Sequence, residues 1–175
     1  TRIELSMGTG MGHINQIAAP YARAAFDFAL ANKALDVWLK ALSRLAQLAS
    51  DQHFQRLLNN PLVSQADLSA LCLKAVKAKS DDPLGRFIAV IATYKRFDCL
   101  VVLHRLFEAQ KYAHEGIIPV AVRSRYPVDQ NTQSVLTKKI EKAYQKKPHF
   151  EHQIDEQLLG GLVYQVGDLV YDCSV

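Results

Sequence analysis

The sequence predicts an α+β protein in which an N-terminal six-helix bundle is followed by a small α/β C-terminal domain. Up to about residue 115, apolar residues recur every three or four positions, which is typical of helices that bury one face. After Gly116 the stretch "IIPVAVRS" alternates apolar and other residues, as a half-buried strand does. Near the end, "LVYQV" and "LVYDC" are joined by Gly-Asp, which predicts a β-hairpin.

Length and composition are those of a folded domain-sized protein. The chain has 175 residues, of which 49% are hydrophobic and 22% charged, and a formal net charge of +4. This mild basicity does not by itself indicate nucleic acid as a partner. No apolar run approaches the ~20 residues of a membrane span, so we expect any membrane association to be indirect. Three scattered cysteines without a CxxC pair favour reduced thiols in an intracellular protein.

The first two helices follow a segment without periodicity. Residues 1–13 show neither a helical nor a strand pattern, and we interpret them as a leader or tag-like segment that is disordered. The first helix is predicted from about Ile14 to Ala31, with Pro20 either in its first turn or at a kink. The second is predicted from about Leu35 to Ala49, because leucines, alanines and Trp38 keep the spacing of one buried face.

Capping signals place the other four helices of the bundle. Asp51 is suited to cap a short third helix. Ser64 and Asp67, three residues apart, resemble a capping box that opens the fourth. The stretch "DDP" predicts the start of the fifth, with an Asp cap and Pro83 at the first position. Asp98 begins the sixth, which we expect to end near the glycine that precedes the first strand.

The domain boundary is therefore predicted near residue 116, with a bundle over 14–115 and an α/β domain over 116–175. In the second domain, a strand is followed by the helix "DQNTQSVLTKKIEKAYQ", by an alternating strand "HFEHQID" and by the terminal hairpin. No internal repeat or low-complexity tract is visible.

The sequence contains no convincing catalytic or metal-binding constellation. The pair Gly160-Gly161 lacks the Lys and Ser/Thr of a phosphate-binding loop and is suited to a turn or bulge. His149 and His152 are three apart on a predicted strand, so their side chains point to opposite faces. The stretch 172–174 offers Asp, Cys and Ser without a nucleophile elbow. We predict no catalytic residue, no metal site and no cofactor.

A lysine-rich helix leaves one alternative function open. Five lysines in or beside "TKKIEKAYQKK" fit a nucleic-acid-binding helical-bundle adapter that uses residues 138–147, but they also fit the solvated face of an amphipathic helix. We favour the solvated face, because the stretch, whose single aromatic residue is Tyr144, does not form the aromatic-interleaved basic motif of single-strand binders. These lysines are Lys138, Lys139, Lys142, Lys146 and Lys147. A second alternative is an enzyme with an unrecognised site.

Two helices carry more apolar surface than one bundle core can cover. In "PYARAAFDFAL" only an arginine and an aspartate interrupt the apolar arc, and "LGRFIAVIATY" of the fifth helix is similarly apolar. Such a surplus predicts an exposed patch, which usually marks a partner site. Ala24 and Ala25 would allow another helix to approach closely, so an amphipathic helix is the expected ligand.

Both ends of the chain resemble one protein family. "IAAPYARAAFDFA" and the closing "LLGGLVYQVGDLVYDCSV" are similar to the δ subunit of bacterial F-type ATP synthases, the counterpart of the mitochondrial oligomycin-sensitivity-conferring protein. Trp38 falls where many bacterial forms carry Trp, and the similarity extends from about Ile14 to Val175. The resemblance implies the same two-domain fold, without catalytic activity or cofactor.

The resemblance also implies a function and partners. It implies a stator subunit that links the catalytic head to the peripheral stalk for proton-driven ATP synthesis. The bundle would receive the N-terminal helix of an α subunit between its first and fifth helices, and the C-terminal domain would bind the b subunits. Nucleic acid is not expected as a partner, and the protein would lie on the cytoplasmic face of the bacterial inner membrane, attached only through the complex. The implied groove residues are Tyr21, Ala24, Phe28, Arg86, Phe87 and Val90.

The end of the chain departs from the family pattern in two ways. Cys173 stands where the family usually has Gly, and Cys fits a strand but not a backbone with positive φ. The family's chains normally continue with a basic segment and a last helix, so the resemblance implies a truncated C-terminal domain at Val175.

Overall fold

The computed structural model describes residues 10–174, and the chain is α+β. It divides into two compact units that meet in sequence between Lys111 and Tyr112. Of the predicted leader 1–13, residues 1–9 lie outside the described part, and residues 10–13 form the start of the first helix.

The described part of the first unit is helical. Its α-helices are α1 (Gly10–Ala31), α2 (Leu35–Ser50), α3 (Gln52–Leu58), α4 (Gln65–Val76), α5 (Pro83–Thr93) and α6 (Leu100–Glu115). A 3-10 turn, Phe97–Cys99, precedes α6. The sixth helix therefore starts slightly later than Asp98, because one tighter turn is inserted before it. The last turn of α6 belongs to the second unit.

The predicted caps of α3 and α4 are confirmed. The Asp51 carboxylate accepts hydrogen bonds from the amides of His53, at 2.8 Å, and Phe54, at 3.3 Å. Ser64 and Asp67 form a reciprocal capping box at the start of α4. These bonds satisfy amides at helix starts that have no partner within the helix.

The start of α5 uses a different arrangement. Pro83 is its first residue, where the missing amide hydrogen costs nothing. The predicted Asp cap is wrong: the Asp82 carboxylate makes no capping hydrogen bond to α5, because it accepts from the backbone amide of Lys79 at 2.8 Å instead. Gly85 packs so closely on the backbone of Lys79 and Ser80 that a Cβ could not be accommodated there. The loop before α5 is thereby fixed against its first turn.

A ridge of small residues turns α1 toward the core of the first unit. These buried residues are Ala18, Ala22, Ala25 and Ala29. Their spacing of three or four residues places them on one face of the helix. The core they contact contains Leu42 and Leu45 of α2, Phe54 of α3 and Phe107 of α6. Other apolar residues of α1, such as Tyr21 and Phe26, are partly buried against the same core, whereas Phe28 remains 41% exposed.

The second unit is a four-stranded sheet with one helix. Its elements are β1 (Ile117–Ser124), α7 (Gln130–Tyr144), β2 (Lys147–Ile154), β3 (Gly161–Val166) and β4 (Leu169–Ser174). The strand order is β2-β1-β3-β4, with β1 and β2 parallel and the other pairs antiparallel. The helix α7 joins the parallel pair, as such a crossover requires.

Alternation along β1 builds the core of the second unit. Val120 and Val122 are fully buried against Ile140 of α7 and Val166 of β3. The predicted hairpin is confirmed: β3 and β4 pair around a turn that contains Gly167, whose φ is +59°. Cys173 lies within β4, in the strand environment that a Cys tolerates.

Candidate helix-binding groove

An open apolar groove lies between α1 and α5 in the first unit. It encloses a cavity of about 250 Å³. The groove is lined by Ala24, Ala25, Phe28, Trp38, Pro83, Arg86 and Phe87. Four of the six sequence-predicted site residues are among these, namely Ala24, Phe28, Arg86 and Phe87. The two helices that the sequence singled out as excessively apolar thus share one cleft.

Trp38 of α2 forms the floor of the groove. Its side chain is buried, with 5% exposed, and its ring centroid lies 5.5 Å from that of Phe28 and 5.5 Å from that of Phe87. The three rings therefore form a tilted aromatic cluster that spans α1, α2 and α5. Trp38 holds the two wall rings in position, while Phe28 remains open to solvent.

The walls keep apolar surface exposed. Phe28 is 41% exposed and Val90 is 43% exposed, whereas Phe87 is half-buried. Ala24 and Arg86 are exposed as well. Exposed apolar surface of this kind, gathered along one concave cleft, is typical of a binding site for a protein segment.

Tyr21 and Val90 do not line the cavity itself. Tyr21 is half-buried against the core and lies three residues before Ala24, while Val90 lies four residues after Arg86. Both spacings place these side chains on the groove-facing sides of α1 and α5, one turn along each helix. They therefore extend the walls beyond the enclosed part.

The sequence did not identify Trp38, Ala25 and Pro83 as lining residues. Ala25 was only expected to permit close approach, and Pro83 was interpreted as a helix start. A signal for Trp38 was present, since it is the chain's only tryptophan and lies on the buried face of α2. That it reaches between two other helices depends on packing that no local pattern encodes.

Of the residues that the structure describes, Arg86 is the only charged one that lines the groove. Among the described residues, no carboxylate forms a salt bridge with it. The nearest carboxylate along its own helix face, Asp82, accepts instead from the Lys79 amide. The groove is therefore an apolar cleft with a single cation at one wall.

Nucleophilic chemistry is disfavoured at the two buried thiols. Burial raises the pKa of Cys72 to about 12. Burial, and to a smaller extent the neighbouring Asp98 carboxylate, raises the pKa of Cys99 to about 11. Both thiols are therefore protonated at neutral pH, and the thiolate is the reactive form. These cysteines act as small core residues.

The other chemical candidates remain separate in the structure. His149 and His152 lie on opposite faces of β2, as predicted, because they are an odd number of residues apart. Within residues 10–174, no group of three or more potential metal ligands is assembled. Nor has any helix in that range the length and apolar character that crossing a bilayer requires.

The lysines of the 138–147 stretch are all solvent-exposed, while Leu136 and Ile140 of the same helix face inward. This is the arrangement of an amphipathic helix with a solvated face. An amphipathic helix with this solvated face was expected to turn Ile140 and Ala143 inward, but only Ile140 is buried, and Ala143 is exposed. Val135, beside the buried stripe, is 53% exposed.

The fold of this chain is also found in a known structure. A chain in a cryo-EM structure of the Toxoplasma gondii mitochondrial ATP synthase hexamer superimposes with a TM-score of 0.66 at 20% identity, covering 90% of both chains. The likeness establishes the two-part α+β architecture.

Sequence comparison specifies the family. The chain belongs to the ATP synthase delta (OSCP) subunit family, whose sequence model matches residues 17–175. It is 30% identical over 165 residues to ATP synthase subunit delta of Marinobacter nauticus, covering 94% of this chain and 93% of that protein. It is 33% identical over 165 residues to the same subunit of Francisella philomiragia, covering 94% and 92%.

Family membership decides the general function. The protein is a non-catalytic stator subunit of ATP synthase, part of a membrane-associated complex. Its role is to hold other subunits rather than to transform a substrate.

Proposed function

We propose that α1–α6 act as one six-helix bundle whose groove receives the N-terminal helix of an ATP synthase α subunit. The observation that carries this proposal is the exposed Phe28 ring beside the buried Trp38 ring in a mainly apolar cleft. A helix with an apolar stripe would cover these rings, and small Ala24 would let its backbone approach closely.

The proposal assigns residues 14–115 to the catalytic head and residues 116–175 to the b subunits of the peripheral stalk. Support for the second assignment comes from β4, an edge strand on which Leu169 and Val170 are each 56% exposed and Tyr171 is 39% exposed. An apolar sheet edge of this kind is suited to a protein partner.

A holding function explains why affinity matters more than reactivity. Rotation of the central shaft exerts torque on the head, and the head must be prevented from turning with it. Burying aromatic side chains in a fitted groove gives slow dissociation, since differences in affinity among related complexes lie mostly in the dissociation rate. The bacterial relatives favour placing the protein at the cytoplasmic face of the inner membrane, attached through the complex.

The test uses a peptide of about 25 residues from the N-terminus of the α subunit encoded with this chain. We expect Phe28→Ala to weaken binding by ~2 kcal/mol, roughly 30-fold, because it removes an aromatic side chain from the centre of the contact. Tyr21→Ala is expected to weaken binding less, since that side chain lies beyond the enclosed part. Calorimetric titration measures both, and Trp38 fluorescence reports the same event.

Tyr126→Ala is the matched control. Tyr126 is an aromatic residue that is 68% exposed and lies in the second unit. Its truncation should leave peptide affinity unchanged, and circular dichroism should show that all variants are folded. Unchanged affinity in both Phe28→Ala and Tyr21→Ala would remove the groove assignment.

A further inference from the structure

We infer that the helix bound in the groove presents a carboxylate to Arg86, and that this ion pair sets the register of the helix along the cleft. The inference rests on the proposed function and adds the chemistry of the partner: an amphipathic helix with an Asp or Glu at the edge of its apolar stripe.

The first argument is the position of the charge. Arg86 lines the same cavity as Phe28, Trp38 and Phe87, and it is the only charged member of that lining. An arginine can lay its aliphatic stem along apolar surface while its guanidinium stays in water. A helix that covers the aromatic cluster would remove part of that water.

The second argument is the lack of an internal partner. No carboxylate within residues 10–174 forms a salt bridge with Arg86. Asp82, one turn earlier on α5, holds the Lys79 amide at 2.8 Å. The guanidinium is therefore available to a ligand without breaking any contact within the first unit.

The third argument is the cost of desolvation. A cation that loses water without gaining an acceptor destabilises the complex, whereas a carboxylate can accept two parallel hydrogen bonds from a guanidinium. The same unit contains one ion pair in which a carboxylate meets a largely buried cation: the Lys111 ammonium, on a residue only 8% exposed, lies 3.2 Å from the Asp36 carboxylate. The bound helix is thus expected to supply for Arg86 what Asp36 supplies for Lys111.

The apolar floor restricts where the carboxylate can lie. The rings of Phe28 and Phe87 offer no hydrogen-bond donor to a carboxylate placed over them, whereas the Arg86 guanidinium does. The acidic residue must therefore lie at the margin of the stripe, on the α5 side. Only one register of the helix then places its apolar residues over the rings and its carboxylate at Arg86.

A double-mutant cycle tests the inference. Each Asp or Glu of the α-subunit peptide is replaced in turn by its amide, and each peptide is titrated into the full chain and into Arg86→Gln. One amide substitution is expected to weaken binding to the unmodified chain by about fivefold, the upper range for an exposed ion pair. The same substitution should have no effect on Arg86→Gln.

Arg44→Gln is the matched control, because Arg44 is an exposed arginine of the first unit that does not line the groove. It should bind every peptide as the unmodified chain does. Amide substitutions that weaken binding equally with and without Arg86, or that never weaken it, overturn the inference while the proposed function stands. If the unmodified peptide does not bind at all, both are overturned.

Discussion

At the scale of single residues, the capping box of α4 gives the most direct link from sequence to stability. The Asp67 amide donates to the Ser64 hydroxyl oxygen at 3.1 Å, and the Ser64 amide donates to the Asp67 carboxylate at 3.1 Å. We expect Ser64→Ala to lower the free energy of unfolding by about 1 kcal/mol, since it leaves an amide of the first turn unpaired. Urea unfolding followed by circular dichroism measures this loss, and Ser69→Ala, within α4, should cost less.

The capping box of α4 also predicts that the stability of the fold depends on pH. Hydrogen bonds from the Ser64 side chain and backbone lower the pKa of Asp67 in the folded state. A depressed folded pKa stabilises the fold fully above the unfolded value of about 3.9, and this stabilisation is lost as the pH falls through the folded value. Asp67→Asn should therefore be less stable than the unmodified chain at pH 6, and the difference should shrink at about pH 2.5. A difference that is constant with pH would contradict this assignment.

At the scale of the element, α1 has two faces that differ in how well they accept a larger side chain. Ala22 is fully buried in the core, whereas Ala24 is exposed on the groove wall. Ala22→Leu should cost 1–3 kcal/mol of folding free energy, roughly the usual cost of overpacking a core. Ala24→Leu should leave the unfolding midpoint nearly unchanged and weaken binding of the α-subunit peptide, because the helix backbone can no longer approach. Paired unfolding and titration experiments separate the two effects.

The excess of apolar residues on α1 could be predicted from sequence, but its division between core and groove could not. The apolar residues of α1 cover most of its circumference, so the pattern does not show which of them face inward. In the structure the alanines Ala18, Ala22, Ala25 and Ala29 are buried, whereas Phe28 is 41% exposed. Hydrophobicity alone does not distinguish Ala25 from Phe28, whereas size does. Caps were predictable because their bonds are local, but the contacts of Trp38 connect residues far apart in sequence.

At the scale of the whole molecule, the two units have separate cores. One cluster contains Leu45, which is fully buried, and the other contains Ile140, which is 2% exposed. If the two units bind different partners, as we propose, separate cores mean that strain on one contact need not unfold the other. The proposal assigns head binding to the first unit because the groove lies there.

Separate cores predict separate unfolding. Leu45→Ala and Ile140→Ala should each lower the free energy of unfolding by about 2–5 kcal/mol, because each leaves a cavity in only one core. In calorimetry, the two substitutions should therefore lower different unfolding transitions. Ile140→Ala should also bind the α-subunit peptide with unchanged affinity below its lowered transition, whereas Leu45→Ala should lose binding when the first unit melts. A single transition that both substitutions lower equally would show that the two units unfold together. The proposed binding of head and stalk by separate units would then need a different physical basis.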